Sequence, residues 1–258
     1  MNLSADKIKK LLKNDTYINI TLLDSVDSTN KYLKEKALLG ETEGSIVIAD
    51  SQTGGRGRFT RKFYSPGGCG IYMSILLKPC FPAKDAVLIT AAAAVAVAEA
   101  CEFLSGKKAE IKWVNDVYMD GKKVCGILTE GAIKPDGCFD YAILGIGINA
   151  FAPDTGFDKE IKDIAGAVFN EKEENHRNRL AAEVITRFFA YYKELCAKTF
   201  LKGYREKSCV TGKEITVIRN GKMQKAVALS IDDNCRLEVE YEDKTREYLS
   251  SGEISIKM

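Results

Sequence analysis

The sequence predicts an α+β fold, a mixed β-sheet with flanking helices followed by a small β barrel. Three observations point there. Helical and strand-like periodicities alternate along most of the chain. Asp120-Gly121 and Asp136-Gly137 mark hairpins between neighbouring strand runs. From about Ser208 the texture changes to short β runs separated by turn residues.

Taken in order, Ile8, Leu11 and Leu12 fall at helical spacing within Asp6 to Lys13, and a turn is expected at Asn14 and Asp15. Ile18 to Leu23 alternates as a strand. Ser28 or Thr29 stands where an N-cap belongs, opening a short helix from Asn30 to Leu39 that Gly40 ends. Ser45 to Ala49 reads as a buried strand and Ile71 to Leu77 as another, joined by a loop from Ser51 to Gly70. A helix is expected over Ala86 to Leu104. Strands then follow at Ala109 to Trp113, Val117 to Met119, Val124 to Gly131 and Phe139 to Ile148. Asn178 to Leu201 reads as the last long helix, with Leu180, Val184, Phe188 and Leu195 on one side. Glu214 to Ile218, Lys225 to Ser230 and Leu237 to Tyr241 are the short β runs of the tail, punctuated at Asn220-Gly221 and Asp232-Asp233-Asn234. This divides the chain into residues 1–206 and 207–258, the second too small to stand alone and so packed on the first.

Composition excludes several classes. With 258 residues, 45% hydrophobic and 29% charged, the chain buries a full core, which rules out a disordered or fibrous protein. Lys and Arg total 38 against 36 Asp and Glu, so any phosphate binding must be local. The eight cysteines contain no C-x-x-C pair, and the single His176 has no companion at metal-site spacing, which argues against structural zinc. The start of the chain has no apolar signal core. Thr90, Glu99 and Glu102 interrupt the alanine-rich run, which suits a buried helix better than a membrane span. A cytoplasmic protein with reduced thiols is the expectation.

Four segments are chemically suggestive. Gly54-Gly55-Arg56-Gly57-Arg58-Phe59-Thr60-Arg61-Lys62 sets three arginines and a lysine among three glycines, a pairing that suits an anion because backbone N–H groups approach closely and guanidinium forks match oxyanions. Such a loop is expected to be mobile when empty and ordered around its ligand; a solvated surface loop fits the same spacing. Lys112-Trp113-Val114-Asn115-Asp116, with Lys123 at the foot of the next strand, offers a half-buried cation and oxygen ligands suited to Mg²⁺, although Asn and Asp also simply close strands. Asp27-Ser28-Thr29-Asn30 could hold a small polar ring or merely cap a helix. Gly145-Ile146-Gly147-Ile148-Asn149 lacks the third glycine and the helix of a dinucleotide fingerprint, but lets another group approach the strand.

Together these segments resemble the biotin protein ligase family. The resemblance rests on Ser28-Thr29-Asn30, Gln52, Gly55-Arg56-Gly57-Arg58, Ser65-Pro66, Lys112-Trp113 with Asn115-Asp116, Lys123 with Gly126-Ile127-Leu128, and Gly147-Ile148-Asn149, in one order between Leu22 and Asn149. Gly252-Glu253-Ile254-Ser255 is similar to part of the family's SH3-like C-terminal domain. The resemblance implies the sheet architecture shared with class II aminoacyl-tRNA synthetases. It also implies a two-step reaction in which biotin and ATP give biotinyl-5′-AMP, from which a lysine of a biotin carboxyl carrier protein takes the biotinyl group. By the same resemblance Ser28, Thr29, Asn30 and Gln52 line the biotin pocket. Arg56, Gly57 and Arg58 hold the biotin carboxylate and the adenylate phosphate, and Gly55, Arg61, Gly126 and Asn149 count among the ligand-binding residues. Lys112 and Asn115 serve the nucleotide. Lys123, Arg58 and Asp116 carry the catalytic roles, with Asp116 a ligand for Mg²⁺ or a base toward the carrier's lysine.

The sequence departs from the family pattern at Thr60, Phe63 and Val114, where glycine, tryptophan and proline are usual. Only 27 residues precede Ser28, so operator binding is not expected, and monomer and homodimer remain open. The rival readings are a lipoate or octanoate transferring relative and a nucleic-acid-binding module; the near-neutral charge argues against the second.

Overall fold

The computed structural model describes residues 3–13, 18–58, 61–219 and 222–256. The turns expected at Asn14-Asp15 and Asn220-Gly221, and the loop positions Phe59 and Thr60, lie outside the described residues.

Helix α1 (Ala5–Leu11) is capped by Ser4, whose hydroxyl accepts from the Lys7 amide. Strand β1 (Asn19–Val26) runs parallel to β2 (Ser45–Gln52), with α2 (Thr29–Leu38) as the crossover between them. Strand β3 (Gly70–Leu77) is antiparallel to β2 and buried along its whole length. After α3 (Val87–Ser105) come β4 (Glu110–Lys112), β5 (Asp116–Met119), β6 (Lys122–Ile133) and β7 (Phe139–Asn149). The resulting mixed sheet has the order β1-β2-β3-β7-β6-β5-β4. It is mixed as expected, with β1 and β2 parallel, and Asp120-Gly121 and Asp136-Gly137 stand at the hairpins β5–β6 and β6–β7.

Helix α2 packs on β2, β3 and β7, while α3 packs on β4, β5 and β6 and on α4 (His176–Lys193). The alanine-rich helix is long and apolar enough to cross a membrane by composition, yet Leu88 to Ala98, Ala100 and Cys101 are all buried. A helix apolar on every side is expected at the centre of a core, and small side chains let its neighbours come close. Cys69, Cys101, Cys125, Cys209 and Cys235 are buried free thiols.

One element differs from the expectation. The last long helix ends at Lys193, not Leu201; a short 3-10 turn (Leu195–Ala197), Lys198 at φ 55° and α5 (Leu201–Glu206) follow. Leu195, Phe200 and Leu201 are buried as the periodicity requires. No glycine or proline marks the bend, so the apolar pattern runs through it unbroken.

The tail is a five-stranded antiparallel sheet in the order β11-β10-β9-β8-β12, built from β8 (Glu214–Arg219), β9 (Lys222–Ile231), β10 (Leu237–Tyr241), β11 (Arg246–Leu249) and β12 (Glu253–Ser255). It joins the larger sheet directly. Ile111 N donates to Lys207 O and Cys209 N to Ile111 O, so the chain enters the tail while bonded to β4.

Candidate functional site

The ends of β1 and β2, the start of α2 and the faces of β3, β6 and β7 enclose a cavity whose floor is a hydrogen-bonded polar chain. Ser28 caps α2, its Oγ accepting from Lys31 N, and Thr29 and Asn30 are buried behind it. Thr29 donates to Gln52 Oε1 through its backbone N (2.9 Å), and its hydroxyl lies 3.1 Å from the same oxygen. Gln52 Nε2 donates to Ser65 Oγ (3.0 Å), which donates to Phe63 O (2.9 Å). Ser74, fully buried, sits 2.8 Å from Thr29 Oγ1 and 2.6 Å from Asn30 Oδ1. Satisfied buried polar groups of this kind fix side-chain orientation before a ligand arrives. Capping and ligand lining are therefore both true of this segment.

The described parts of the glycine-rich loop pair with each other over the cavity. Arg56 bridges Lys62, Gly57 N donates to Arg61 O (2.8 Å), and Phe63 N donates to Gly55 O (3.0 Å). A Cβ at Gly55 would lie 2.4 Å from Phe63 O and 2.6 Å from Ser65 Oγ, so only glycine fits at the hinge. Arg58 reaches inward and donates to Asn115 Oδ1 (3.3 Å); Arg61 pairs with Glu253 at the start of β12.

On the opposite wall, Ile111 and Trp113 point into the core and Lys112 does not, as strand alternation requires. Lys112 Nζ lies over the Tyr118 ring at 5.9 Å. The turn that follows, where the Trp113-Val114 peptide is cis, is pinned from the far side. Trp113 Nε1 donates to Cys235 O (2.9 Å) and the buried Tyr204 hydroxyl to Val114 O (3.0 Å). Asn115 exchanges bonds with Ile127, its Nδ2 donating to O (2.8 Å) and its O accepting from N (2.9 Å). Asp116 Oδ1 meets Lys123 Nζ at 2.7 Å.

Burial lowers the pKa of Arg58 and of Lys112, while Asp116 pulls both back up. Two cations partly withdrawn from water would gain from an anion brought between them. The cavity is therefore built for a ligand carrying negative charge beside a smaller polar group. Among the described residues, no cluster of three His, Cys, Asp or Glu comes together to hold a metal.

The cavity is lined by Ser28, Thr29, Asn30, Gln52, Arg56, Gly57, Arg58, Arg61, Lys112, Asn115, Asp116, Lys123 and Gly126, all expected from sequence. Two expected residues stand outside the lining. Gly55 forms the hinge behind it, and Asn149 spends its side chain on Gly166 O (3.0 Å). Asn149 thus anchors the segment whose Ile164 O and Gly166 N clamp the backbone of Lys123. The lining also takes in Lys62, Trp113, Leu128, Gly145 and Gly147 from the segments singled out in sequence, and Phe63, Tyr72, Met73, Gly252, Glu253 and Ile254, to which no site role was assigned. Gly145 and Gly147 carried a legible signal. A Cβ at Gly145 would stand 2.3 Å from Asn30 Oδ1 and one at Gly147 2.6 Å from the Phe63 ring, so strand glycines mark where the pocket touches the sheet.

With this geometry in view, residues 22–149 match the biotin/lipoate A/B protein ligase family and residues 210–257 the biotin protein ligase C terminal domain. The chain belongs to this ligase family. The bifunctional ligase/repressor BirA of Bacillus spizizenii is 43% identical to it over 142 residues, 55% of this chain and 43% of that protein. The biotin–acetyl-CoA-carboxylase ligase of Paracoccus denitrificans is 37% identical over 138 residues, 52% of this chain and 56% of that protein. The chain thus matches about half the length of these curated relatives. A structure of the biotin protein ligase from Aquifex aeolicus in complex with biotin and ATP superposes with a TM-score of 0.75 at 28% identity, covering 92% of this chain and 97% of that one. The ligase family's fold accounts for both the mixed sheet and the antiparallel tail of this member.

Proposed function

We propose that this chain is a biotin protein ligase, which forms biotinyl-5′-AMP from biotin and ATP and passes the biotinyl group to a lysine of a biotin carboxyl carrier protein. The observation that carries the reading is the convergence of Arg58 and Lys123 on one cavity whose floor is the Thr29, Asn30 and Gln52 network.

The chemistry follows from the layout. A ureido ring sits on the polar floor, and its chain leads the carboxylate toward Arg56 and Arg58. The carboxylate attacks the α-phosphate of ATP, forming a C–O–P anhydride as the bond to pyrophosphate breaks. Like charges oppose that approach, so fixed cations are the main catalytic need. Lys123 stabilises charge at the α-phosphate, and Lys112 and Asn115 hold the nucleotide. No covalent enzyme intermediate is required.

Mg²⁺ commonly takes one or two carboxylates beside substrate phosphates. Asp116 has one oxygen committed to Lys123 and the other to offer, which fits an ion held mainly by the phosphates. When bound, such an ion screens phosphate charge. In the second step the carrier's lysine, having lost its proton with help from Asp116, attacks the anhydride carbonyl and AMP leaves. The glycine-rich loop shields the anhydride from water until then, closing over it as ligand neutralises its arginines.

Mass spectrometry of a carrier domain incubated with this protein, biotin and MgATP tests the reading. Addition of one biotinyl group to a single lysine supports it. An unmodified carrier, or equal modification with lipoate in place of biotin, counts against it.

A further inference from the structure

Resting on the ligase reading above, we propose that Glu130 is a positioning residue that fixes the donor and acceptor polarity of the ring pocket through Asn30. Glu130 lies on β6, four residues beyond Gly126, and no charged role was expected of it. Its two oxygens face different partners. Oε2 accepts from Asn30 Nδ2 at 2.8 Å, and Oε1 lies 3.5 Å from Arg56 Nη1.

The consequence follows from what each group can do. An amide can be turned over, exchanging a donor for an acceptor at little steric cost. Beside Asn30 the other polar side chain is the Ser74 hydroxyl, which both donates and accepts and so cannot choose between the two orientations. A carboxylate accepts and does not donate; Leu128 O, 3.5 Å from Nδ2, is likewise an acceptor only, and Glu130 at 2.8 Å is the nearer and the charged one of the two that make the choice. It draws Nδ2 to itself and leaves Oδ1 toward Ser74, whose single proton Asn30 Oδ1 then takes at 2.6 Å. From the other end the Thr29 backbone N fixes Gln52 Oε1 as an acceptor. Each member of the floor thereby presents one defined face to the cavity.

A ureido group presents a carbonyl acceptor between two N–H donors, so a turned Asn30 would oppose donor with donor. The same carboxylate ties the floor to Arg56 of the covering loop. Ring recognition and loop placement thereby share one side chain.

The test compares Glu130→Gln, of nearly the same shape, with Glu130→Ala, Asn30→Ala and the double variant Asn30→Ala/Glu130→Ala. Biotin binding is measured by calorimetry, the KM values for biotin and ATP by pyrophosphate exchange, and folding by thermal melting. A lost charge-assisted hydrogen bond in a partly buried site is worth roughly tenfold in affinity. Both Glu130 variants should weaken biotin binding and raise its KM by that factor while the KM for ATP holds. The double variant should be no worse than Asn30→Ala alone, because the two residues act as one unit. A merely structural Glu130 would lower the melting temperature and leave the biotin KM in place. Unaltered biotin binding in both Glu130 variants, or additive losses in the double, overturns the inference while leaving the ligase reading intact. Wild-type protein that takes up no biotin overturns both.

Discussion

Lys123 Nζ stands 2.7 Å from Asp116 Oδ1, so the lysine proposed to meet the reacting phosphate is ion-paired with a carboxylate of the same cavity. Removing Lys123 then does two things: it deletes a cation from the site and leaves Asp116 partly buried without its partner. Lys123→Ala should slow biotinyl-adenylate formation about ten- to a hundredfold, the equivalent of roughly 1.5–3 kcal/mol of lost charged contact. Single-turnover kinetics check this, and an unchanged adenylation rate would remove Lys123 from the mechanism.

Arg58 donates across the cavity to Asn115, joining the loop to the opposite wall. Arg58→Gly should break that span and let biotinyl-5′-AMP escape. The free adenylate should appear in the medium by liquid chromatography, and bystander proteins should be biotinylated on many lysines. Adenylate that stays bound to the variant would refute the closing role of the loop.

Arg61 and Glu253 form the second clasp, this one between the loop and the tail sheet. The pair is largely exposed on the arginine side, so its worth in stability is on the order of 0–1 kcal/mol. Glu253→Gln should therefore leave the melting temperature nearly unmoved while shortening the lifetime of the bound adenylate. Release rates measured after rapid dilution test it; an unchanged lifetime would make the pair ornamental.

Burial lowers the pKa of Lys112, with Asp116 opposing the shift. Nucleotide phosphates favour the charged form and so raise that pKa on binding. The sign is fixed: affinity for ATP is full where free Lys112 is protonated and falls as pH rises through its depressed value, below 10.5. In the alkaline range ATP binding should take up a proton, seen by calorimetry in buffers of different ionisation enthalpy. Lys112→Met should abolish the uptake.

The Tyr204 hydroxyl is buried on Val114 O at 3.0 Å, behind the turn that carries Asn115 and Asp116. Tyr204→Phe leaves that carbonyl without its donor, at a cost of about 1–3 kcal/mol. Urea unfolding should show the loss as a lower midpoint with an unchanged slope.

Cations among glycines also suit a solvated loop, and a strand lysine beside Asn and Asp also suits a strand end; it was the ordered set of segments that made a ligand site legible in the sequence. A cap at Ser28 or Thr29 could be placed from local pattern, and Ser28 is the one that caps. The sequence was silent where contact depends on distant chain segments. Glu130 reads as an ordinary strand carboxylate until the fold brings Asn30 and Arg56 to it, 100 residues away in the case of Asn30. Glu253 is reached only because β12 returns beside β8 near the loop. Asn149 belonged to a segment the resemblance pointed to, yet the fold spends its amide on Gly166 O, where it steadies Lys123 from behind. The bend after Lys193 escaped notice because Leu195 and Phe200 keep the apolar rhythm of the helix they leave.

The central claim is that one cavity brings an acid group on the polar floor's side against a nucleotide phosphate held by Lys123. Exchange of labelled pyrophosphate into ATP, measured with and without biotin and without any carrier protein, tests it most directly. The account predicts exchange that requires biotin, is not supported by lipoate, and falls at least tenfold in Lys123→Ala. Exchange that ignores biotin, or none with any acid in the wild-type protein, would contradict it.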